Sequence, residues 1–415
     1  MAALQYPVNG PVQAAILCGG LGTRMRPYTE KMPKPMVTCN GKPFLWYLIQ
    51  QLQEQGIRRF VLLTGYLSKK IEDYFEDGSR WGVEIQYSQG PVEWDTGRRL
   101  WEAKSILEAQ FLLLYSDNFV PFPLQKVLER HIQNKSSLSL MISQKSPGNI
   151  SVDENGLVLR YDRARTEKGC NYVEIGYMVV ERDRTFEFYE QPNCNFSSIL
   201  ASMAERGELG AWIQQDAYHS ISDPERWKKA EEYLKPKKIL LIDRDGVINR
   251  KAPRGEYICT WEEFEWLPDT LSAMKELARE GFQFIVITNQ AGIARQMIDP
   301  TQVDRIHRNM TVELEKEGVV IQDVYICPHH WNEGCFCRKP QPGMLFQASR
   351  DHLFRLDQTV FVGDDPRDEE TARNAGCASI LVDPGENGNG DHLDSESCIS
   401  NSLMDALIFI KDYYS

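Results

Sequence analysis

Short apolar runs recur along most of the chain, separated by segments in which apolar side chains return every three or four positions. The runs AAILC (14–18), RRFVLLTG (58–65), VEIQYS (83–88) and QFLLLYS (110–116) have the length and continuity of buried strands. Between them, PFLWYLIQQLQEQ, SKKIEDYF and RRLWEAKSILEA carry helical spacing. That alternation predicts a mainly parallel sheet with helices on both faces. From Ser137 to Val180 the runs become strand-rich, with turn signals at Pro147-Gly148 and Glu154-Asn155-Gly156, so this stretch reads as a substrate-binding extension of the same sheet.

The helix-like segment DPERWKKAEEYL opens on Asp223, a suitable N-cap, and is followed by Lys235-Pro236-Lys237-Lys238 and the apolar run ILLID. A boundary there divides the 415 residues into domains 1–235 and 236–415, joined by a linker short enough to keep them close. The second half repeats the alternation: ILLID, a helix from Thr270 to Glu280, FQFIVITN, a helix from Pro300 to Glu317, VYIC, a helix after Met344, and TVFVGD. The polar, glycine-rich run at 384–397 reads as a surface loop, and LMDALIFIKDYY as a closing helix. The fold class expected is α/β, with two sheets in two domains.

Composition narrows the function. With 47 basic and 59 acidic residues and a net charge of −12, the chain offers no broad basic field for nucleic acid or an anionic membrane. No run approaches the roughly 18–20 apolar residues of a membrane span, and no charged leader precedes an apolar core; a cytoplasmic location is expected. Ten cysteines in such a chain read as thiols or metal ligands before disulfides. The oligomeric state is left open, a homo-oligomer included.

Two constellations carry phosphate chemistry, each just beyond an apolar run, where open α/β sheets bind ligands. In ILCGGLGTRMRPYTEKMPKPM, Gly19, Gly20 and Gly22 allow a tight turn whose peptide N–H groups cradle an anion, and Thr23, Arg24, Arg26 and Lys34 follow. Arg24 and Lys34 would neutralise a triphosphate and the charge that develops as pyrophosphate leaves. In ILLIDRDGVIN, Asp243 and Asp245 lie at i and i+2; if extended structure persists they project to one side, and paired carboxylates call for a cation, expected to be Mg²⁺. VITNQAGIAR adds Thr288 and Asn289, CRKPQPGM adds Arg338 and Lys339, and TVFVGDD adds Asp364 and Asp365. Within CPHHWNEGCFCRKP, Cys327, His329, Cys335 and Cys337 supply three thiolates and an imidazole, enough to close a structural tetrahedral zinc site, with His330 the other histidine available.

GGLGTRMRP with PKPM, GKPF and YSDNF resembles sugar-1-phosphate nucleotidyltransferases over residues 12–235, which implies a Rossmann-like, GT-A-like sheet. The resemblance implies that Arg24 and Lys34 grip the nucleoside triphosphate, that Asp117 holds Mg²⁺, that Gly97 belongs to the nucleobase loop and that Glu174 contacts sugar hydroxyls. Three departures stand out: Arg98 and Arg99 in WDTGRRL, where a glycine and a small residue are common; Ser116 before the metal aspartate; and Ser220 where a second metal aspartate is common, with Asp223 three residues on.

The order of DRDGVIN, TNQAGIAR, CRKP and GDD resembles the haloacid-dehalogenase (HAD) phosphatase superfamily. By that resemblance Asp243 is the nucleophile, Asp245 the acid and base, Thr288 and Lys339 the phosphate grips, and Asp364 a further Mg²⁺ ligand. The intervals between motifs leave no room for a large cap domain. The zinc loop makes the second half similar to D-glycero-D-manno-heptose 1,7-bisphosphate phosphatases, with histidinol-phosphate phosphatases as close relatives. The expectation is a bifunctional enzyme of nucleotide-activated heptose synthesis, with GTP as preferred donor and a sugar phosphate as acceptor. Two alternatives are a histidinol-phosphate-type phosphatase fused to a hexose-1-phosphate nucleotidyltransferase, and a first half that binds nucleotide only to regulate.

Overall fold

The computed structural model describes residues 13–253, 255–382 and 398–415. The surface loop expected at 384–397 lies outside the described residues. The chain forms two compact units that divide between Leu234 and Lys235.

The first unit is built on a nine-stranded sheet. Its strands are β1 (Gln13–Cys18), β2 (Arg59–Thr64), β3 (Glu84–Gln89), β4 (Gln110–Tyr115), β5 (Leu138–Gln144), β6 (Ile150–Val152), β7 (Val158–Tyr161), β8 (Tyr172–Glu181) and β9 (Leu209–Gln214). The spatial order is β7-β6-β8-β4-β1-β2-β3, with β5 pairing both β8 and β9. β1 runs parallel to β2 and β4, and β3 parallel to β2. β8 is antiparallel to β4, β5 and β6. The sheet is therefore mixed, where the alternation predicted one mainly parallel. The strand-rich segment does extend the same sheet, through antiparallel pairing of β8 with β4 and β5. Ala14 to Ile16 are fully buried, which places Cys18 and the glycine loop after it at the end of a central strand.

The second unit is a six-stranded sheet, all parallel: β10 (Ile239–Ile242), β11 (Gln283–Asn289), β12 (Ile321–Cys327), β13 (Val360–Gly363), β14 (Ala378–Val382) and β15 (Cys398–Ser400). The order is β12-β11-β10-β13-β14-β15. β10 shows why its sequence is apolar throughout. Leu240 and Ile242 pack on one face with Phe284, Val286, Val360 and Val362, while Ile239 and Leu241 pack on the other with Ile285, Ile287 and Phe361. Helices Thr270–Arg279, Pro300–Lys316, Gly343–His352 and Leu403–Tyr413 form within a residue or two of the spans the spacing predicts. Among the described residues no additional sheet is inserted between β10 and β12, so this unit has no large cap. No helix of the described residues is long and apolar enough to cross a membrane.

The last helix is tied back to the sheet by one hydroxyl. The Tyr414 side chain accepts from the Val360 N–H at 3.0 Å and donates to the Ile239 carbonyl, bridging β13 and β10 at their starts. Tyr414→Phe strands both backbone groups, and the expected loss is about 1–3 kcal/mol of stability in the second unit, read from denaturant unfolding; a change within error would show that water replaces the hydroxyl.

Candidate active sites

At the first site, the glycine loop leaves β1 and closes as a single helical turn, Thr23–Met25, after Gly22 at φ 60°. Gly20, Gly22, Thr23, Arg24 and Lys34 line one cleft of about 370 Å³, with Asp117 opposite. Lys34 Nζ donates to Asp117 Oδ2 at 2.6 Å, so the residues from the loop and from the end of β4 already meet across it. Thr96, Tyr115 and Ser222 also line the cleft, and sequence reasoning passed over all three.

Ser116 lines the cleft as well, whereas Gly19, Gly97, Arg98, Ser220 and Asp223 do not. Gly19 rests on the Arg99 guanidinium: a Cβ at Gly19 would stand 2.2 Å from Arg99 Cζ. Gly97 lies against the Cys194 carbonyl, and its neighbour Thr96 is the one that reaches the cleft. Ser116 donates to the Leu17 carbonyl at 2.5 Å, tying β4 to β1. Arg98 pairs with Glu102 on its own helix and lies 5.3 Å over Trp94. Asp223 caps the helix Pro224–Tyr233 by accepting from Arg226 N at 3.0 Å, and Ser220 accepts from Ser222 N at 3.1 Å. Neither Ser220 nor Asp223 lines the cleft.

Glu174 sits on β8 just before the pairing with β5 shifts register. Tyr161 donates to its Oε1 at 3.1 Å, while Oε2 is buried with no hydrogen-bond partner. Burial raises its pKa, more than the Tyr161 hydroxyl and Arg165 lower it. Its charge also acts on Tyr115, which lines the cleft. An orphaned carboxylate oxygen is costly unless a ligand completes it.

At the second site, side chains from the ends of three parallel strands converge. Lys339 is 4% exposed, and its Nζ lies 2.8 Å from Asp243 Oδ2 and 2.7 Å from Asp368 Oδ1. It also donates to the Ile287 carbonyl at 3.2 Å. Burial lowers its pKa, but Asp243 and Asp368 more than offset that, and the net shift is upward. The Asp243 carboxyl is pushed up to about 8 by burial, with Lys339 opposing and Asp368 and Asp364 adding. Asp243, Asp364 and Asp368 bring carboxylate oxygens within 4.8 Å of one another. Lys251, from the loop after β10, reaches Asp364 Oδ2 at 2.7 Å. Gly246, at φ 96°, is obligatory there, since a Cβ would meet Asp364 Oδ2 at 2.1 Å.

Asp245 does not join that carboxylate group. The chain turns at Gly246 rather than staying extended, with Gly246 N bonded to the Asn249 carbonyl, and this rotates the Asp245 side chain away. Its carboxylate accepts from Arg244 at 2.8–3.1 Å, from Asn249 at 3.0 Å and from Gln290 at 2.9 Å. Burial would raise its pKa, but these donors, Arg244 foremost, hold it below the usual carboxylate value. Gln290 also donates to Thr288 Oγ1 at 2.9 Å, which places Asp245 one link from Thr288. Asn289 exchanges two hydrogen bonds with the Lys339 backbone, at 3.1 and 3.3 Å, and so fixes the lysine from outside the ion cluster. Asp365 is a helix cap, held by Arg367 and paired with Asp368 in a reciprocal capping box.

The four residues of the expected zinc loop meet. The Cys327, Cys335 and Cys337 sulfurs are 3.5–3.7 Å apart, and His329 Nδ1 is 3.1 Å from Cys337 and 3.7 Å from Cys327. A tetrahedral ion with Zn–S bonds of about 2.3 Å needs S–S edges of about 3.8 Å, so this set fits zinc. His330 is turned outward onto Trp331 at 3.8 Å. Arg338 donates to the His329 carbonyl at 3.4 Å, inside the same loop. For Mg²⁺, Asp243 and Asp364 fit: Asp364 Oδ1 is buried without a partner. At the first site, among the described residues, Asp117 belongs to no group of three ligating side chains.

Comparison with known proteins gives each unit its kin. Residues 13–204 match the Nucleotidyl transferase family and residues 336–406 the HAD-hydrolase-like family. A D-glycero-alpha-D-manno-heptose-1,7-bisphosphate 7-phosphatase of Mycobacterium bovis is 37% identical over 36% of this chain and 81% of its own length. A D-glycero-beta-D-manno-heptose-1,7-bisphosphate 7-phosphatase of Bordetella bronchiseptica is 36% identical over 37% of this chain and 83% of its own. A D-glycero-alpha-D-manno-heptose 1-phosphate guanylyltransferase of Campylobacter jejuni is 30% identical over 52% of this chain and 96% of its own. The chain belongs to both families. It is a nucleotidyltransferase joined to a HAD-type phosphatase, and the cleft and the ion cluster are the respective candidate active sites.

Two outcomes follow for these sites. Glu174→Gln keeps the shape of the transferase side chain and removes its charge. A carboxyl whose folded pKa exceeds the unfolded one contributes stability that is present below the unfolded value and lost as pH rises through the folded one. The variant therefore melts higher than wild type at pH 8 and gains less at pH 5; equal shifts at both would contradict the burial argument. In the phosphatase unit, elemental analysis is expected to find about one zinc ion per chain, and Cys337→Ser to reduce it to a small fraction of that with a lower melting temperature. An unchanged zinc content would remove Cys337 from the ligand set.

Proposed function

We propose that the chain converts D-glycero-D-manno-heptose 1,7-bisphosphate to a nucleotide-activated heptose in two steps. The phosphatase removes the C7 phosphate, and the transferase couples the remaining 1-phosphate to a nucleotide, GMP from GTP. The carrying observation is that the two halves separately match relatives whose named activities are consecutive, over 81% of the phosphatase's length and 96% of the guanylyltransferase's. The α anomer is favoured, because the transferase relative is named for it and both steps must share one anomer.

In the phosphatase, the Asp243 carboxylate attacks phosphorus, the P–O bond to C7 breaks, and an aspartyl-phosphate forms. Lys339, already shared between Asp243 and Asp368, and Thr288 hold the phosphoryl oxygens. Asp245 protonates the leaving oxygen and then takes a proton from the water that releases phosphate. Its lowered pKa keeps it ionised in the free enzyme, the form that can take a proton. An entering phosphate anion raises that affinity and readies it for the first. Mg²⁺ on Asp243 and Asp364 would neutralise phosphoryl charge. The zinc set, with four protein ligands, leaves no open position and serves to fix the loop that delivers Arg338 and Lys339.

In the transferase, the sugar-phosphate oxygen attacks the α-phosphorus as the bond to the departing pyrophosphate breaks. The glycine loop, Arg24 and Lys34 hold the triphosphate, Asp117 would hold Mg²⁺ and Glu174 receives sugar hydroxyls. Lys34 exchanges its partner Asp117 for phosphate oxygens when the nucleotide enters.

Paired variants test the assignment. Asp243→Asn is expected to lose phosphate release from the bisphosphate by at least about a thousandfold while keeping pyrophosphate release from GTP and heptose 1-phosphate. Lys34→Met shows the reverse, with about a hundredfold loss of pyrophosphate release. Loss of both activities in either variant would contradict independent sites.

A further inference from the structure

Arg99 is 5% exposed, and its guanidinium is enclosed by main-chain oxygens from three segments. It donates to the Thr64 carbonyl at the end of β2 at 2.6 Å, to the Pro91 carbonyl at 2.7 Å and to the Gly19 carbonyl at 3.4 Å. Gly65 as well as Gly19 is shaped around it, since a Cβ at Gly65 would stand 2.7 Å from Arg99 Nη2. No described carboxylate makes an ion pair with it; Asp95 and Glu93 act only at longer range, and Asp95 is occupied as the N-cap of Arg99's own helix. Arginine does not deprotonate in proteins, so a full positive charge is buried without an anionic partner directly under the loop that lines the cleft. A buried charge in that position is expensive unless something anionic completes it.

We propose that Arg99 is a positioning residue of the transferase site, which braces the turn at Gly19 from below and supplies the charge that a polyphosphate on the opposite side of the loop neutralises. The inference rests on reading the cleft as a nucleotide site. It assigns Arg99 a place under the phosphates, not beside the base. Both parts of the role have a structural basis: the three carbonyl bonds fix where the loop's peptide groups stand, and the enclosed charge reaches the ligand through low-dielectric protein instead of water. The consequence is a dependence on phosphate number. A brace alone affects every ligand of the cleft alike, whereas a charge affects the triphosphate most.

The test uses the full chain and titrates GTP, GDP, GMP and inorganic tripolyphosphate against wild type, Arg99→Gln and Arg99→Lys. The expected result is a loss for Arg99→Gln of about tenfold or more with GTP and tripolyphosphate, less with GDP and least with GMP, while Arg99→Lys keeps most of the wild-type gradation. Equal loss for GTP and GMP, or no loss, overturns the proposal and leaves the transferase reading standing. If wild type binds tripolyphosphate but no nucleotide and Arg99→Gln weakens it, the nucleotide reading fails and the charged floor survives; binding of neither ends both. Should Arg99→Gln not fold, Arg99→Met, which also removes the charge, is read in its place: uniform loss across the phosphate series means a brace without electrostatic action.

Discussion

A strand buried on both faces has no room for a polar side chain along its length, so its chemistry must begin where it ends. β10 is the clear case. All four of its residues are buried, alternating between two cores, and Asp243 follows immediately. The same constraint places the glycine loop after β1, Asp117 after β4, Thr288 at the end of β11 and Asp364 after β13. Parallel pairing puts neighbouring ends at one edge of each sheet, and residues far apart in sequence become partners: Lys34 with Asp117, and Lys339 with Asp243.

For that reason the α/β class, the second sheet and the groups of chemical residues were legible before any coordinates. Apolar runs of four to seven residues mark buried strands, and the polar residue that interrupts each one marks the site. The zinc set was readable for a different reason: its four ligands lie within one loop, so spacing alone brings them close. Mixed pairing in the first sheet was less legible, because a strand's direction depends on the route of its connection and leaves little trace in its own pattern.

What escaped the sequence is the reach of long or rotatable side chains. Arg99 looked like an altered base loop and instead lies under the glycine turn. Asp245 looked like the i+2 partner of Asp243, but a turn at Gly246 swings it onto Arg244, Asn249 and Gln290. Asp368 and Lys251 complete the charge of the phosphatase site from a helix and a loop whose local sequence looks like ordinary solvated charge. With all three carboxyls ionised, the two ammoniums leave one negative charge in excess, a state that a cation favours, and Asp364 keeps a bare oxygen there. In the transferase the balance is reversed: cations line the cleft and lie beneath it, ready for an anion.

On the proposed function, one chain carries a sugar bisphosphate through dephosphorylation to nucleotide activation. Mass spectrometry of the products formed from D-glycero-α-D-manno-heptose 1,7-bisphosphate, Mg²⁺ and an equimolar mixture of nucleoside triphosphates tests it directly. The expected products are a GDP-heptose, inorganic phosphate and pyrophosphate. Heptose 1-phosphate alone, with every triphosphate unconsumed, would contradict catalysis in the first unit, and unchanged bisphosphate would contradict the pathway as a whole.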